Sequence, residues 1–423
     1  MTVSKLAADS SRCGIAIGSP VDAIVSKYVD HLLALRYADD TIQHYLASLR
    51  HFTHRLNKNK RLTLADIDDA LVTEFVDVHL PHCRCPRPCM RHVNTVRAAL
   101  RHLLAVLKEE GLCSTVRPQL HTPVDIELEL YRHYLVDSCG YAQTTCRNRL
   151  WRIRRFLDSV FGQGQGSVSA GHLTSMDIED FTARCFKGRS HGTRRSYCVD
   201  LASYLRFRGL NGDDTRALFA AIPKMAPPMP APLPIAMTER ELDLFFAAFD
   251  LTKPIGMRDF AIARFLTDLA LRRMEVVRLQ LESFDWQNGT VTLTHNKGGR
   301  ERKLPLPVQT AHALVRYLQY GRPDTSNRAV FVRQIAPYDM PIDAVAINHL
   351  IRGAFVRAGL DERFHGVHVL RRTAATRLIQ GGASLKEVAD VLGHRHLNTT
   401  TLYTRVDLDR LRKVAQPWPE HRS

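Results

Sequence analysis

An internal repeat limits the fold of this chain more than any other feature. Tyr37–Phe52 lines up with Tyr141–Phe156, with Tyr, Ala, Thr, Leu, Arg and Phe recurring in register. Asp66-Ile67-Asp68-Asp69 then matches Asp177-Ile178-Glu179-Asp180, Thr95 matches Thr193, and Gly111-Leu112 matches Gly209-Leu210. Chance likeness of two amphipathic helices would not keep three further blocks in order, and self-similarity at this spacing marks a repeated structural unit. Apolar residues recur at helical spacing, as at Ile24, Tyr28, His31, Leu32 and Leu35 and at Leu150, Ile153 and Leu157. The reading is two copies of a small four-helix domain, over residues 20–117 and 118–222, preceded by a loose tail at 1–19.

The copies differ in two ways. The second carries Arg147, Arg149, Arg152, Arg154 and Arg155 on one helix, where the first has Gln43, Tyr45, Ser48, Arg50 and His51. Apart from Asp158, four residues after Arg154, these arginines have no acidic partners at four-residue spacing, which favours phosphate contact, and Arg194 and Arg195 join them as candidate DNA contacts. The first copy holds an insertion with His82, Cys83, Cys85, Cys89 and His92. Its spacing is not that of a standard zinc finger. The expectation is therefore no metal, with Cys83, Cys85, Cys89 and His92 as the ligands should one be held.

The 423 residues fit about three domains, and a net charge of +16 predicts an anionic partner. No apolar run reaches the roughly 18 residues of a membrane span, and Asp9 and Arg12 interrupt any signal-peptide core. Nine cysteines without an extracellular signal argue against a disulfide scaffold. These points predict a cytosolic protein that binds nucleic acid.

A Pro-rich linker, residues 223–236, separates the helical copies from a C-terminal domain at 237–415, with 416–423 as a tail. Thr238 with Glu241 reads as a capping box opening a helix over Glu239–Phe249, followed by one over Met257–Ala270. Asn288-Gly289 signals a hairpin turn, and Thr290–His295 and Arg302–Leu306 alternate as strands. The rest reads as helical up to Arg412. The fold class is mainly α with a small antiparallel sheet.

Polar groups recur in this domain at telling places. Arg272 and Glu275 stand three apart, as on one helical turn, and Lys297 lies in a glycine-rich hairpin. His368 and Arg371 share a helical face, and Gly381-Gly382 stops that helix. Ser384 and Glu387 cap the next, Gly393 ends it, His394 follows, and Tyr403 lies beyond a Thr-rich turn in a short third helix.

Taken together, ALRRME, NKGGRERKLPLP, HVLRRT, LGH and TLY resemble the tyrosine recombinases, or phage integrases, in order and spacing over residues 237–415. The second helical copy looks like that family's core-binding domain, so the architecture implied is tandem helical SAM-like N-terminal domains plus a catalytic domain. The resemblance implies site-specific DNA recombination through a 3′-phosphotyrosine. Tyr403 would attack the phosphodiester, Arg272 and Arg371 would clamp it, and Lys297 would protonate the leaving 5′-oxygen. His368 would assist proton transfer, His394 would hydrogen-bond the phosphate, and Glu275 would support Arg272. No cofactor is needed, since the covalent link conserves the bond energy, and no GxxxxGK[ST] loop is present. The partner implied is double-stranded DNA, bound by a homo-tetramer or by an assembly with sister recombinases. A DNA-binding accessory protein and a type IB-like topoisomerase are the alternative readings. Two departures from the pattern stand out: Ala270 where the family has Gly, read here as a mild change on a helix, and Arg372 where many members have His. Leu408, Leu411 and Val414 form a stripe that could dock on a neighbouring subunit or on their own domain.

Overall fold

The computed structural model describes residues 21–57, 63–85, 89–112, 122–162, 168, 172–226, 235–294 and 301–393. The chain divides into two compact units, one made of Met1–Ser114 with Ala231–Ser423 and the other of Thr115–Pro230. Among the described residues no helix is long and apolar enough to cross a membrane.

The first copy contains α1 (Val25–Ala34), α2 (Asp39–Asn57), α3 (Asp69–Glu74) and α4 (Val93–Glu109). A π-helical turn, Phe75–His79, extends α3. The second copy contains α5 (Pro123–His133), α6 (Gln143–Phe161), α7 (Ser175–Phe186) and α8 (His191–Leu210), followed by a short α9 (Arg216–Ala221). The repeated residues occupy equivalent structural positions. Asp66 and Asp177 each close a capping box, with Thr63 on the short turn just ahead of α3 and with Thr174 at the start of α7. Thr95 and Thr193 each offer the N3 amide to the N-cap of the fourth. Each copy has its own apolar core. Ile42, Leu49 and Phe52 face Leu100, Leu103 and Leu107 in the first, and Ile153, Phe156 and Leu157 face Leu201 and Leu205 in the second. Each fully buried Leu or Phe of this kind contributes about 1.5–3 kcal/mol.

The C-terminal part begins with α10 (Glu239–Ala247), opened by the expected Thr238–Glu241 capping box. Next come α11 (Pro254–Asp268) and α12 (Arg273–Val277). Strands β1 (Phe284–Asp285), β2 (Thr290–Leu293) and β3 (Arg302–Pro305) form an antiparallel sheet in that order. Val291 pairs Leu304 and Leu293 pairs Arg302 across β2 and β3. The last helices among the described residues are α13 (Val308–Arg316), α14 (Ala344–Arg357), α15 (His368–Gln380) and α16 (Leu385–Leu392). The expectation of helix throughout fails between Arg322 and Asp343, where the chain is irregular. Pro323, Pro337 and Pro341 remove amide donors there, and isolated bridges hold the segment instead. The main core gathers Phe245, Phe265, Leu266, Val291, Leu304, Leu314, Ile351, Phe355 and Leu370. A smaller cluster of Ala270, Ala374, Ala375, Ile379, Val388 and Leu392 packs α15 and α16 together.

Two local expectations need correcting. Helix α11 stops at Asp268, so Ala270 is not helical; it takes φ +52°, in the left-handed region. That conformation disfavours a Cβ by about 1–2 kcal/mol. The Ala270 methyl is fully buried in the smaller cluster, and burying it offsets about 0.8 kcal/mol of that cost. Arg272 and Glu275 do not share a helical turn either. Arg272 is the extended N-cap of α12 and Glu275 is its N3 residue.

Candidate active site

The site is assembled at the C-terminal end of α16. The Ser384–Glu387 capping box opens this helix and Gly393 closes it at φ +60°. A helix end leaves backbone carbonyls without intrahelical partners and carries partial negative charge. Here three arginines supply the donors. Arg302 donates to the carbonyl of Val391, Arg371 to that of Leu392, and Arg272 to that of Gly393 at 3.2 Å. Arg371 also donates to the carbonyl of Ala270. Gly393 is required twice over. Its backbone is left-handed, and a Cβ would meet Arg302 Nη1 at 2.7 Å.

Glu275 locks this cluster from behind. Its carboxylate accepts from the Arg272 amide at 2.7 Å, from Arg272 Nη1 at 3.0 Å and from Arg302 Nη2 at 3.2 Å. The Glu275 side chain is 6% exposed and that of Arg302 10%, so this is a buried ion pair. Burial is the main reason that the Arg302 guanidinium falls below the usual arginine range. The Glu275 charge opposes that shift and Arg272 adds to it.

Arg371 and His368 project from the first turn of α15, as their spacing predicts. Arg371 is buried, whereas His368 reaches solvent. Partial enclosure of the imidazole, first, and then the charges of Arg372, Arg273, Arg371 and Arg272 hold its pKa below the ordinary value. The ring is therefore neutral at pH 7 and can accept a proton. In front of these groups lies a cleft of about 470 Å³, lined by Leu271, Arg272, Arg273, Asn348, Arg352, Gly366, Val367, His368 and Arg371. Four arginines and no carboxylate line it, so its chemistry selects an anion. Paired, planar guanidinium donors suit the non-bridging oxygens of a phosphate.

Arg302, Arg273 and Arg352 are site residues that sequence reasoning missed. Arg302 had a signal: it shares the inward parity of β3 with the buried Leu304, an unusual place for a charge. Arg372 is exposed and acts on the site through its field at His368. Lys297, His394 and Tyr403, together with the stripe Leu408, Leu411 and Val414, lie outside the described residues.

The candidate DNA-contacting arginines fall into two sets. Arg149 and Arg152 both pair with the buried Asp200 of α8, and Arg154 pairs with Asp125 of α5. Those partners are distant in sequence, so helical spacing could not reveal them. Arg194 is half-buried, its Nε donating to the Arg189 carbonyl at 2.8 Å. Arg147, Arg155 and Arg195 are exposed and make no ion pair among the described residues. Of the candidate metal ligands, Cys83 and Cys85 lie together, joined by His51 and His79. Cys89 and His92 are not in that group, because His92 is spent as the N-cap of α4 and Cys89 accepts from Arg91.

Residues 236–410 match the model of the phage integrase family. The chain is 34% identical over 311 residues to the tyrosine recombinase XerD of Xanthomonas campestris pv. campestris, covering 70% of this chain and 94% of that one. It is 28% identical over 298 residues to the tyrosine recombinase XerC of Bacillus subtilis, covering 68% and 94%. Its fold resembles that of the XerH site-specific recombinase in a post-cleavage complex with a palindromic difH substrate. The TM-score is 0.55 at 19% identity, over 71% of this chain and 98% of that one. With an arginine-lined anion cleft in the region that the family model matches, the chain belongs to the phage integrase family, the tyrosine recombinases of site-specific DNA recombination.

Proposed function

We propose that this chain cuts and rejoins DNA strands at specific sites, with the cleft before Arg272, Arg371 and His368 receiving the scissile phosphate. The observation that carries the reading is the convergence of three guanidinium groups on the end of α16, beside a cleft without carboxylates. A phosphodiester transition state gathers charge on its non-bridging oxygens, and fixed donors aimed at it lower the barrier. Arg272 and Arg371 serve as those donors, and Glu275 with Arg302 fixes the position of Arg272.

The remaining steps draw on Tyr403, Lys297 and His394. The Tyr403 oxygen attacks phosphorus while its proton passes to neutral His368, and the bond to the 5′-oxygen breaks. Lys297 protonates that oxygen, and His394 hydrogen-bonds the phosphate. A 3′-phosphotyrosyl link remains, and a 5′-hydroxyl from a second strand reverses the sequence. A tyrosine hydroxyl of pKa about 10 needs this help to act as a nucleophile. Exchange between two duplexes calls for four such sites, so the assembly is a tetramer of this chain or of this chain with sister recombinases. The helical copy at 118–222 grips the DNA, the copy at 20–117 extends the DNA footprint or contacts other proteins, and the domain at 237–415 cuts the DNA, on the nucleoid of a prokaryotic cytoplasm.

The test is a suicide duplex nicked beside the crossover, resolved on a denaturing gel. A protein–DNA adduct in the wild type but not in Tyr403→Phe supports the reading. An adduct in both variants would reassign the nucleophile. Binding without an adduct in either would favour an accessory role, and relaxation of supercoils without strand exchange would favour a topoisomerase.

A further inference from the structure

The insertion of the first copy takes no part in that chemistry, yet it builds a site of its own. His51 on α2, His79 at the end of the π-helical turn, and Cys83 and Cys85 on the following loop bring their donor atoms within 4.8 Å of one another. His51 Nε2 lies 3.2 Å from Cys83 Sγ and 3.4 Å from His79 Nε2, and Cys85 Sγ lies 3.6 Å from His79 Nε2. Zinc bonds of about 2.0–2.1 Å to nitrogen and about 2.3 Å to sulfur give tetrahedral edges of roughly 3.3–3.8 Å. The observed separations match that scale.

The surroundings favour a metal as well. His51 Nδ1 lies 2.7 Å from the carbonyl of Met90, which fixes the proton on Nδ1 and leaves the Nε2 lone pair facing the cluster. The Cys85 amide donates to Cys83 Sγ at 3.4 Å, and the Arg91 guanidinium donates to the Cys85 carbonyl at 2.9 Å. A donor and a cation so placed favour thiolates. Phe75 stacks on His79 and meets His51 edge-on, with ring centres 5.0 and 5.1 Å away, so both imidazoles are oriented. The loop has little else to order it. Among the described residues from Leu80 to His92, only Leu80 and Cys85 are buried. The second copy lacks this loop and has Arg155 where the first has His51.

We propose that His51, His79, Cys83 and Cys85 bind a structural zinc ion that pins the inserted loop to α2 and α3. Four protein ligands leave no open position, so the ion is structural and not catalytic. Binding releases the protons of both thiols and adds its free energy to the folding of the first copy.

The experiment uses the full chain, purified without chelator, with its zinc measured by plasma mass spectrometry. About one zinc per chain is expected. Cys83→Ser and Cys85→Ser should each hold about fivefold less or lower, whereas Cys89→Ser and His92→Ala should match the wild type. Equal loss in Cys89→Ser and Cys85→Ser would overturn the ligand set, and a wild type without zinc after reconstitution would overturn the site. Should the cysteine variants fail to fold, cobalt-substituted wild type decides. Intense tetrahedral bands with thiolate charge transfer support the proposal, and a weak octahedral spectrum refutes it.

Discussion

Replacing Glu275 by glutamine tests the idea that one carboxylate organises the arginines at the end of α16. The change keeps the side chain's shape and removes its charge. Arg302 is then left as a buried cation without a counter-charge, its side chain only 10% exposed. Breaking one partner out of a buried pair costs about 3–5 kcal/mol. Arg302 keeps the Val391 carbonyl, and glutamine retains one acceptor oxygen, so the lower end, about 3 kcal/mol, is expected. Arg302→Met behaves differently. Glu275 still accepts from the Arg272 amide and from Nη1, and methionine fills the vacated space, so about 1 kcal/mol is expected. The double variant should cost less than the sum of the two, with a coupling of about 1–3 kcal/mol. Hydrogen exchange of amides between 261 and 293 across a urea series isolates this domain from the two helical copies. Adduct formation on the suicide duplex should fall about a hundredfold in Glu275→Gln, because Arg272 loses its brace. Equal costs for the two single variants, or an unchanged adduct rate, would show that the carboxylate does not hold these groups.

Other outcomes follow from the same geometry. Gly393→Ala should cost about 2 kcal/mol by the same exchange measurement and slow the adduct, since the left-handed backbone and Arg302 both oppose a Cβ; an unchanged profile would contradict the close approach. His368 has a lowered pKa in the folded chain, so the unfolded chain binds more protons in the interval from that value up to roughly 6.5. Stability therefore rises with pH through this interval and is lost on acidification. Cleavage that needs neutral His368 should rise over the same interval, and Arg372→Gln should move its inflection upward; a pH–rate profile that Arg372→Gln leaves in place would rule out that electrostatic role. Arg147→Ala and Arg155→Ala should each weaken DNA binding and lower the salt slope by about 1, measured by anisotropy at several salt concentrations. Arg152→Ala should instead cost about 2–4 kcal/mol of stability, because Asp200 is 5% exposed and keeps only Arg149 at 3.5 Å.

What could be read from the chain in advance was what local chemistry determines. The Thr238–Glu241 and Ser384–Glu387 caps and the Gly393 stop all depend on residues within one helical turn. The pairing of His368 with Arg371 on α15 has the same origin. What escaped depends on contacts distant in sequence. Asp200 reaches Arg149 and Arg152 from another helix, and His51 reaches Cys83 across a helix and a loop. Ala270 was misread because the apolar run of α11 continues into Leu269, Ala270 and Leu271, and periodicity carries no sign of a left-handed residue. Arg302 was passed over because a charge on a short strand reads as solvated until a buried carboxylate is found beside it.

The hold that the end of α16 exerts on Arg272, Arg302 and Arg371 also bears on the thermodynamics of DNA capture. An arginine side chain that waits in solvent carries about 2 kcal/mol of rotamer entropy, which is lost when a phosphate immobilises it. Here the carbonyls of Val391, Leu392 and Gly393 impose that loss while the domain folds, before any DNA is present. Each guanidinium has five N–H groups, so one or two bonds to the backbone leave others for a ligand. Binding a phosphate should then carry a smaller entropic penalty than it would with mobile arginines.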